Sequence, residues 1–128
     1  MKKTFIHGLL AGLLASFAGI GYNYMYCHML SVDFSQLVNP KALMISCVLG
    51  TMLAAFGHHT FEIVVKKNAD VWFNLIFILL SFLSFLGPLR AHLAADITNP
   101  TLFLGLTEPL HMFPIVFWLA TKPLFDAK

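Results

Sequence analysis

Gly50-Thr51-Met52-Leu53-Ala54-Ala55-Phe56-Gly57-His58-His59-Thr60-Phe61-Glu62 is an apolar stretch that ends in two histidines and a glutamate. Taken as a helix, it places Ser46, Gly50, Ala54, His58 and Glu62 at i, i+4 steps along one slowly drifting face. Three small residues there let a neighbouring backbone come close, and the two ionisable ones need partners. Apolar runs of this length elsewhere in the chain give about four spans, at ~20 residues per span plus loops.

Composition agrees. The chain has 128 residues, 59% apolar and only 11% charged, with a mean hydropathy of +0.80. A soluble domain carries ~25% charged residues, so an integral membrane protein is expected. The net charge of +2 is small and its lysines and arginine lie at span ends, which gives no nucleic-acid partner. Cys27 falls at a membrane edge and Cys47 inside a span, so no disulfide framework is expected.

The expected architecture is an all-α transmembrane four-helix bundle forming one domain over 1–128, with spans at about 5–26, 41–65, 71–89 and 101–121. Lys2-Lys3 and the apolar residues after them resemble a signal peptide, but the run continues to about Leu30, so it reads as an uncleaved first span. Gly8, Gly12, Ser16 and Gly19 give that span a small-residue face. Residues Ser31 to Val38 are expected as a short helix at the interface. Asn39-Pro40 and Asn99-Pro100 each look like an N-cap followed by proline at the first helical position. Lys66 to Asp70 form a polar turn in which Asp70 caps the third span. Gly87-Pro88 ends or kinks that span, which carries no carboxylate and whose Asn74, Ser81 and Ser84 mark its inward side.

Lys2, Lys3, Lys66, Lys67, Lys122 and Lys128 fall on one side of such a bundle, and only Lys41 and Arg90 on the other. The positive-inside rule then places both termini in the cytoplasm. Trp72 and Trp118 are expected at the cytoplasmic interface, and Tyr22, Tyr24 and Tyr26 at the outer one.

Helical rise assigns each polar residue a depth. His7, His58, His59, Glu62 and Asn74 gather in the cytoplasmic third. Asn23, Arg90, His92, Asp96 and Glu108 gather in the outer third, with His111 near the midplane. Glu62 and Glu108 come out roughly 15–20 Å apart along the membrane normal, so they cannot share a site. Glu108-Pro109-Leu110-His111 is a Glu-x-x-His pair, but a di-metal bundle needs a second pair and two more glutamates at the same level. A smaller zinc site from His58 or His59 with Glu62 has the right donor types. The sequence nevertheless predicts no metal and no cofactor. Glu108 is the leading candidate: a carboxylate within a span is costly unless paired or neutralised. Arg90 and His111 are its expected neighbours, and Pro109 and Pro114 free backbone carbonyls around it. His7 and His28 read as interfacial.

His58-x-x-x-Glu62 resembles the His-x-x-x-Glu pair on the second span of sterol isomerases of the EXPERA family. That resemblance implies a lipid-binding cavity and proton shuttling by acidic residues. The ending Leu106-Thr107-Glu108-Pro109-Leu110-His111-Met112-Phe113-Pro114, with Trp118 and Lys122-Pro123-Leu124-Phe125, resembles small four-span bacterial membrane proteins of unknown function. It implies the four-span architecture and gives no activity; the expected location is a bacterial cytoplasmic membrane, with both termini inside.

Three functions follow as alternatives. The first is a binding or transport-type module, not an enzyme, with a polar intramembrane pocket of Glu108, His111 and Arg90, and with Asn23, His58 and Glu62 as further binding residues. The second is an accessory subunit of a membrane complex. The third is a lipid-modifying enzyme using His58 and Glu62. The expected partners are membrane lipid, a small hydrophobic ligand, and a second copy or larger membrane complex. A cavity between the second and fourth spans favours the first or third function; a filled interior favours the second. Reporter fusions test the topology: positions Lys67 and Lys128 should read as cytoplasmic, and Asp33 or Asn99 as external. An external signal at Lys67 overturns the orientation.

Overall fold

The computed structural model describes residues 2–94 and 99–126; Asp96 and Lys128 lie outside them, as does the side chain of His92. Among the described residues five helices follow in order: α1 (Lys2–Leu30), α2 (Pro40–Val65), α3 (Ala69–Leu83), α4 (Leu86–Ala94) and α5 (Pro100–Asp126). The described residues contain no strand. Four stretches are long and apolar enough to cross a membrane: Lys2–Leu30, Pro40–Val65, Ala69–Arg90 and Pro100–Phe125. The chain is therefore an all-α, multi-pass bundle of four spans.

Local chemistry sets the helix ends. Asn39 accepts the Ala42 N–H at 2.8 Å, and Pro40 opens α2. This satisfies one free amide of the first turn with a residue whose φ is already helical. The Asn99 carbonyl takes the Phe103 N–H at 3.0 Å at the start of α5. Three non-glycine residues with positive φ, Ser31, Lys66 and Asn68, reverse the chain at the ends of α1 and α2.

Residues 31–38 are turn and coil, not the expected interfacial helix. Phe34 is buried against Phe103 with ring centroids 5.6 Å apart, so a tertiary contact holds this loop. Beside it the Ser35 N–H bonds Asp33 at 2.9 Å and holds the Asp33 carboxyl below its ordinary range.

The third span breaks at Ser84-Phe85, three residues before Gly87-Pro88 is reached. The cause is still Pro88. A proline has no N–H for the carbonyl four residues earlier, here Ser84, and its ring crowds that carbonyl. The chain answers with a tighter bond, Gly87 N–H to Ser84 O at 3.1 Å. In α5, by contrast, Pro109, Pro114 and Pro123 lie inside a continuous helix. Pro109 frees the Gly105 carbonyl, which the Tyr22 hydroxyl takes at 2.8 Å. Tyr26 bonds Leu102 O one turn away at 2.9 Å. Tyr22 and Tyr26 thus face inward as struts between α1 and α5, and only Tyr24 is exposed as an outer belt residue would be.

Close approach of α1 to α2 organises the bundle. A Cβ on Gly8 would lie 2.8 Å from Ala55 Cβ and 2.9 Å from Thr51 O. One on Gly12 would lie 2.9 Å from Val48 Cα, and closer still to Thr51 Oγ1. The face of α2 that meets α1 is therefore Cys47, Val48, Thr51 and Ala55. The Ser46-Gly50 edge lies beside it, and Gly50 has nothing within 4 Å of a Cβ position. The small residues expected to receive a helix are displaced from the contact by about one residue, or ~100° around the helix.

Trp118 is fully buried and joins Phe73, Ala54, Ala55, Ala11 and Ile115 in a core near the lysine-rich end. It is not an interfacial belt residue; Trp72, 56% exposed, fits that role. A second cluster of Phe34, Phe103, Leu106 and Leu110 closes the far end.

Gly12→Leu should force the α1 and α2 backbones apart and destabilise the protein by at least ~1–3 kcal/mol, as overpacking does. Gly50→Leu should leave the melting temperature in detergent nearly unchanged. Thermal melts of the two variants check this, and equal losses would overturn the assigned contact face.

Candidate functional site

Two polar constellations stand apart in the bundle. The first lines a cleft of about 830 Å³ that opens between α2 on one side and α3, α4 and α5 on the other. Its walls are mostly apolar, with Leu43, Leu53, Phe77, Leu80, Phe103 and Leu110 among them. From Asn39 to Gly57 it runs roughly 27 Å along α2 at the α-helical rise. Phe73 closes it at the lysine-rich end, where its ring would sit 3.3 Å from a Cβ on Gly57. The cleft exists because α1 holds α2 on one face while α3 meets α2 only lightly.

Polar side chains in this cleft come from three helices: Ser46 from α2, Ser81 from α3 and Thr107 and His111 from α5, with Ser84 at the α3–α4 break. Ser84 Oγ lies 2.9 Å from His111 Nδ1 and 2.6 Å from Ser81 O. One hydroxyl proton serves one of these acceptors at a time. If Ser84 donates to Ser81 O, His111 must donate from Nδ1 and its Nε2 becomes an acceptor. If Ser84 donates to His111, Nε2 carries the proton instead. His111 can therefore offer either a donor or an acceptor to a molecule in the cleft. Ser81 and Ser84 lie inward as expected, and the break caused by Pro88 lets Ser84 reach across.

The pocket expected around Glu108 does not assemble. His111 lines the cleft, whereas Glu108 and Arg90 are both exposed and outside its lining. Neither makes an ion pair or hydrogen bond among the described residues. Glu108 and His111 lie three residues apart, yet the helix turns one outward and the other in. Asn23 serves a local role, accepting a 3.7 Å contact from Cys27 Sγ. Both cysteines are free.

The second constellation lies at the lysine-rich end. His58, buried and packed edge-on against Phe73 with centroids 5.1 Å apart, holds Asp70 Oδ1 through Nε2 at 2.5 Å. Lys122 pairs with the same oxygen at 2.6 Å. Glu62 Oε2 stands 3.9 Å from His58 Nδ1 and 3.7 Å from His59 Nδ1. His58, Glu62 and Asp70 each offer a donor atom within 4.8 Å of the other two. Asp70 was expected to cap α3. Instead α3 starts at Ala69, its cap residue Asn68 makes no side-chain bond, and Asp70 in the first turn ties three helices together. The third span therefore does carry a carboxylate.

His7 was read as interfacial. It is buried, with Nε2 3.0 Å from both Trp118 O and Thr121 Oγ1. A carbonyl only accepts, so Nε2 bears the proton. Helical rise places His7 in the cytoplasmic third, and lysine placement puts Lys122 at the same end, but neither gives the azimuth that joins α1 to α5. No known family, curated protein or solved structure matches this chain.

Glu108→Gln and Arg90→Gln should each shift the melting temperature little, and the double variant should return a coupling within ~0.5 kcal/mol of zero, as separated sites do. A larger coupling would restore the expected ion pair.

Proposed function

We propose that the protein is a binding or transport-type module that holds one elongated, largely apolar molecule with a single hydrogen-bonding group, in a bacterial cytoplasmic membrane. The assignment of membrane rests on lysine placement and on the resemblance of the chain's ending. The observation that carries the binding reading is the lateral cleft, with His111 and Ser84 as its hydrogen-bonding pair. Ligand sites typically measure ~300–1,000 Å³ and are lined by apolar side chains with a few placed polar groups. A groove that is apolar along ~27 Å suits a lipid chain, and a hydroxyl or carbonyl on that chain suits His111 Nε2. The cleft-lining hydroxyls of Ser81 and Thr107 give their protons to the helix carbonyls four residues back, at 2.9 and 3.0 Å. They cost little when the cleft is filled by apolar matter.

One observation favours a second reading, an accessory subunit that receives a partner helix. Gly50 and Ser46 are small and open on the cleft wall, as a helix-docking face would be. The enzyme reading is less favoured, because His58 and Glu62 lie beyond the closed end of the cleft, past Phe73.

Mass spectrometry of the intact protein released from membranes separates these readings. One lipid-like molecule per chain is expected on the wild type. Gly50→Leu should expel it and melt like the delipidated wild type. His111→Leu should weaken its retention about 3–10-fold, the effect of one or so hydrogen bonds. A wild type with no bound small molecule, and a Ser46→Cys variant that cross-links to another polypeptide, would replace binding with subunit docking.

A further inference from the structure

We infer that the occupant of the cleft is a quinone with an apolar tail, held in both its oxidised and its reduced form, with His111 bonded to a ring oxygen. This names the ligand class of the cleft and rests on the binding reading given above.

Charge and depth limit the polar head. None of the side chains lining the cleft is charged, so a phosphate or carboxylate has no partner there, which is costly among apolar walls. The level of His111 follows from contacts on either side of it. A Cβ on Gly19 would lie 3.2 Å from Leu43 and 3.4 Å from Leu110, and Trp118 packs with Ala54 and Ala55. Both pairings step the same way, so α2 and α5 run parallel, and His111 is level with the turn of α2 between Met44 and Val48. That turn lies roughly 8–13 Å inside the Asn39 end of the cleft. An ionic lipid keeps its head at the membrane surface, whereas this level suits an uncharged head within the hydrocarbon.

Hydrogen bonding selects among uncharged heads. His111 Nδ1 is tied to Ser84 Oγ at 2.9 Å, and Phe85 meets the imidazole edge-on with centroids 6.2 Å apart. Nε2 has no partner among the described residues and is not sealed inside the protein. Rotation of the Ser84 hydroxyl between His111 Nδ1 and the Ser81 carbonyl, 2.6 Å away, decides whether Nε2 gives or takes a proton. A quinone oxygen only accepts, and so needs Nε2–H. A quinol hydroxyl gives its proton to the Nε2 lone pair, and so needs the other tautomer. An ester carbonyl calls on one state and an alcohol is satisfied by either; a quinone and its quinol use each in turn, and neither form brings a charge into the cleft. Ser46 stands on the facing wall at the same level and offers a hydroxyl to the second ring oxygen. From Ser46 to Gly57 the cleft continues for roughly 16 Å between apolar side chains, among them Leu53, Ile76 and Phe77, and takes the tail.

The test uses the full chain, purified in detergent and stripped of lipid. The probes are decyl-benzoquinone, its quinol, and decylbenzene, which has the same ring and chain without the oxygens. One quinone per chain is expected by calorimetry. Quinone and quinol should bind within about threefold of each other, and each about 3–10-fold more tightly than decylbenzene. His111→Leu should remove that advantage and leave decylbenzene binding no weaker. Nitrogen spectra of isotopically labelled histidine in the wild type should place the His111 proton on Nε2 with the quinone and on Nδ1 with the quinol. Equal binding of quinone and decylbenzene, or one His111 tautomer with both forms, overturns the quinone and leaves the cleft as a site for another apolar molecule. Binding of none of the three overturns the cleft reading and the quinone with it.

Discussion

Backbone contact between α1 and α2 at Gly8 and Gly12 is the constraint from which the rest of the bundle follows. In lipid, apolar side chains gain nothing by leaving their surroundings, so helices join through close packing and shared polar bonds. Gly8 and Gly12 permit that packing against Thr51, Ala55 and the Val48 backbone. The rotation of α2 is thereby set. Cys47, Thr51 and His58 turn inward, and Ser46 and Gly50 turn to the cleft. Both candidate sites are consequences of this one rotation: it opens the groove on one side of α2 and brings His58 under Asp70 on another.

Polar satisfaction then places the remaining helices. Tyr22 and Tyr26 bond carbonyls of α5 at the far end, and His7 bonds Trp118 O and Thr121 at the lysine-rich end. These bonds clamp α5 to α1 at two levels about 20 Å apart along α5. Inside a membrane an unsatisfied backbone carbonyl is costly, and Pro109 supplies one at Gly105 where Tyr22 can reach it. The span made of α3 and α4 has weaker ties. Asp70 anchors its lysine-rich end, and Ser84 touches His111 near its break. The span made of α3 and α4 packs least against the other helices and forms one wall of the cleft.

Depth was legible in the sequence, and azimuth was not. Rise per residue put His7, His58 and Glu62 at one end and lysine placement put Lys122 there too, and the structure brings them there. It also put Glu108 and Arg90 near one another in height, yet their side chains point outward from the bundle. A one-residue error around a helix is ~100°, which is why Gly50 was read as a contact and proved open. The third helix begins at Ala69, so Asp70 became a tie between helices and not a cap. Residues 31–38 were read as a helix from local pattern alone, whereas Phe34 is held by Phe103, a partner 69 positions later in the chain. Cap chemistry at Asn39-Pro40 was readable because it is local. The Ser84–His111 pair was not, since it depends on where Pro88 breaks its helix.

The clamp between α1 and α5 has a bearing on how the bundle is made. Its partners lie 111 and 114 positions apart in the sequence, so His7 meets Trp118 and Thr121 only after α5 has been made. The α1–α2 hairpin, by contrast, has its glycine contact available as soon as α2 has entered the membrane. Before α5 arrives, Phe73 and the buried alanines of α1 and α2 lack the indole ring that fills the space between them. The α1–α2 contact thus needs only neighbouring segments, whereas the central core is complete only with the indole that α5 brings to it.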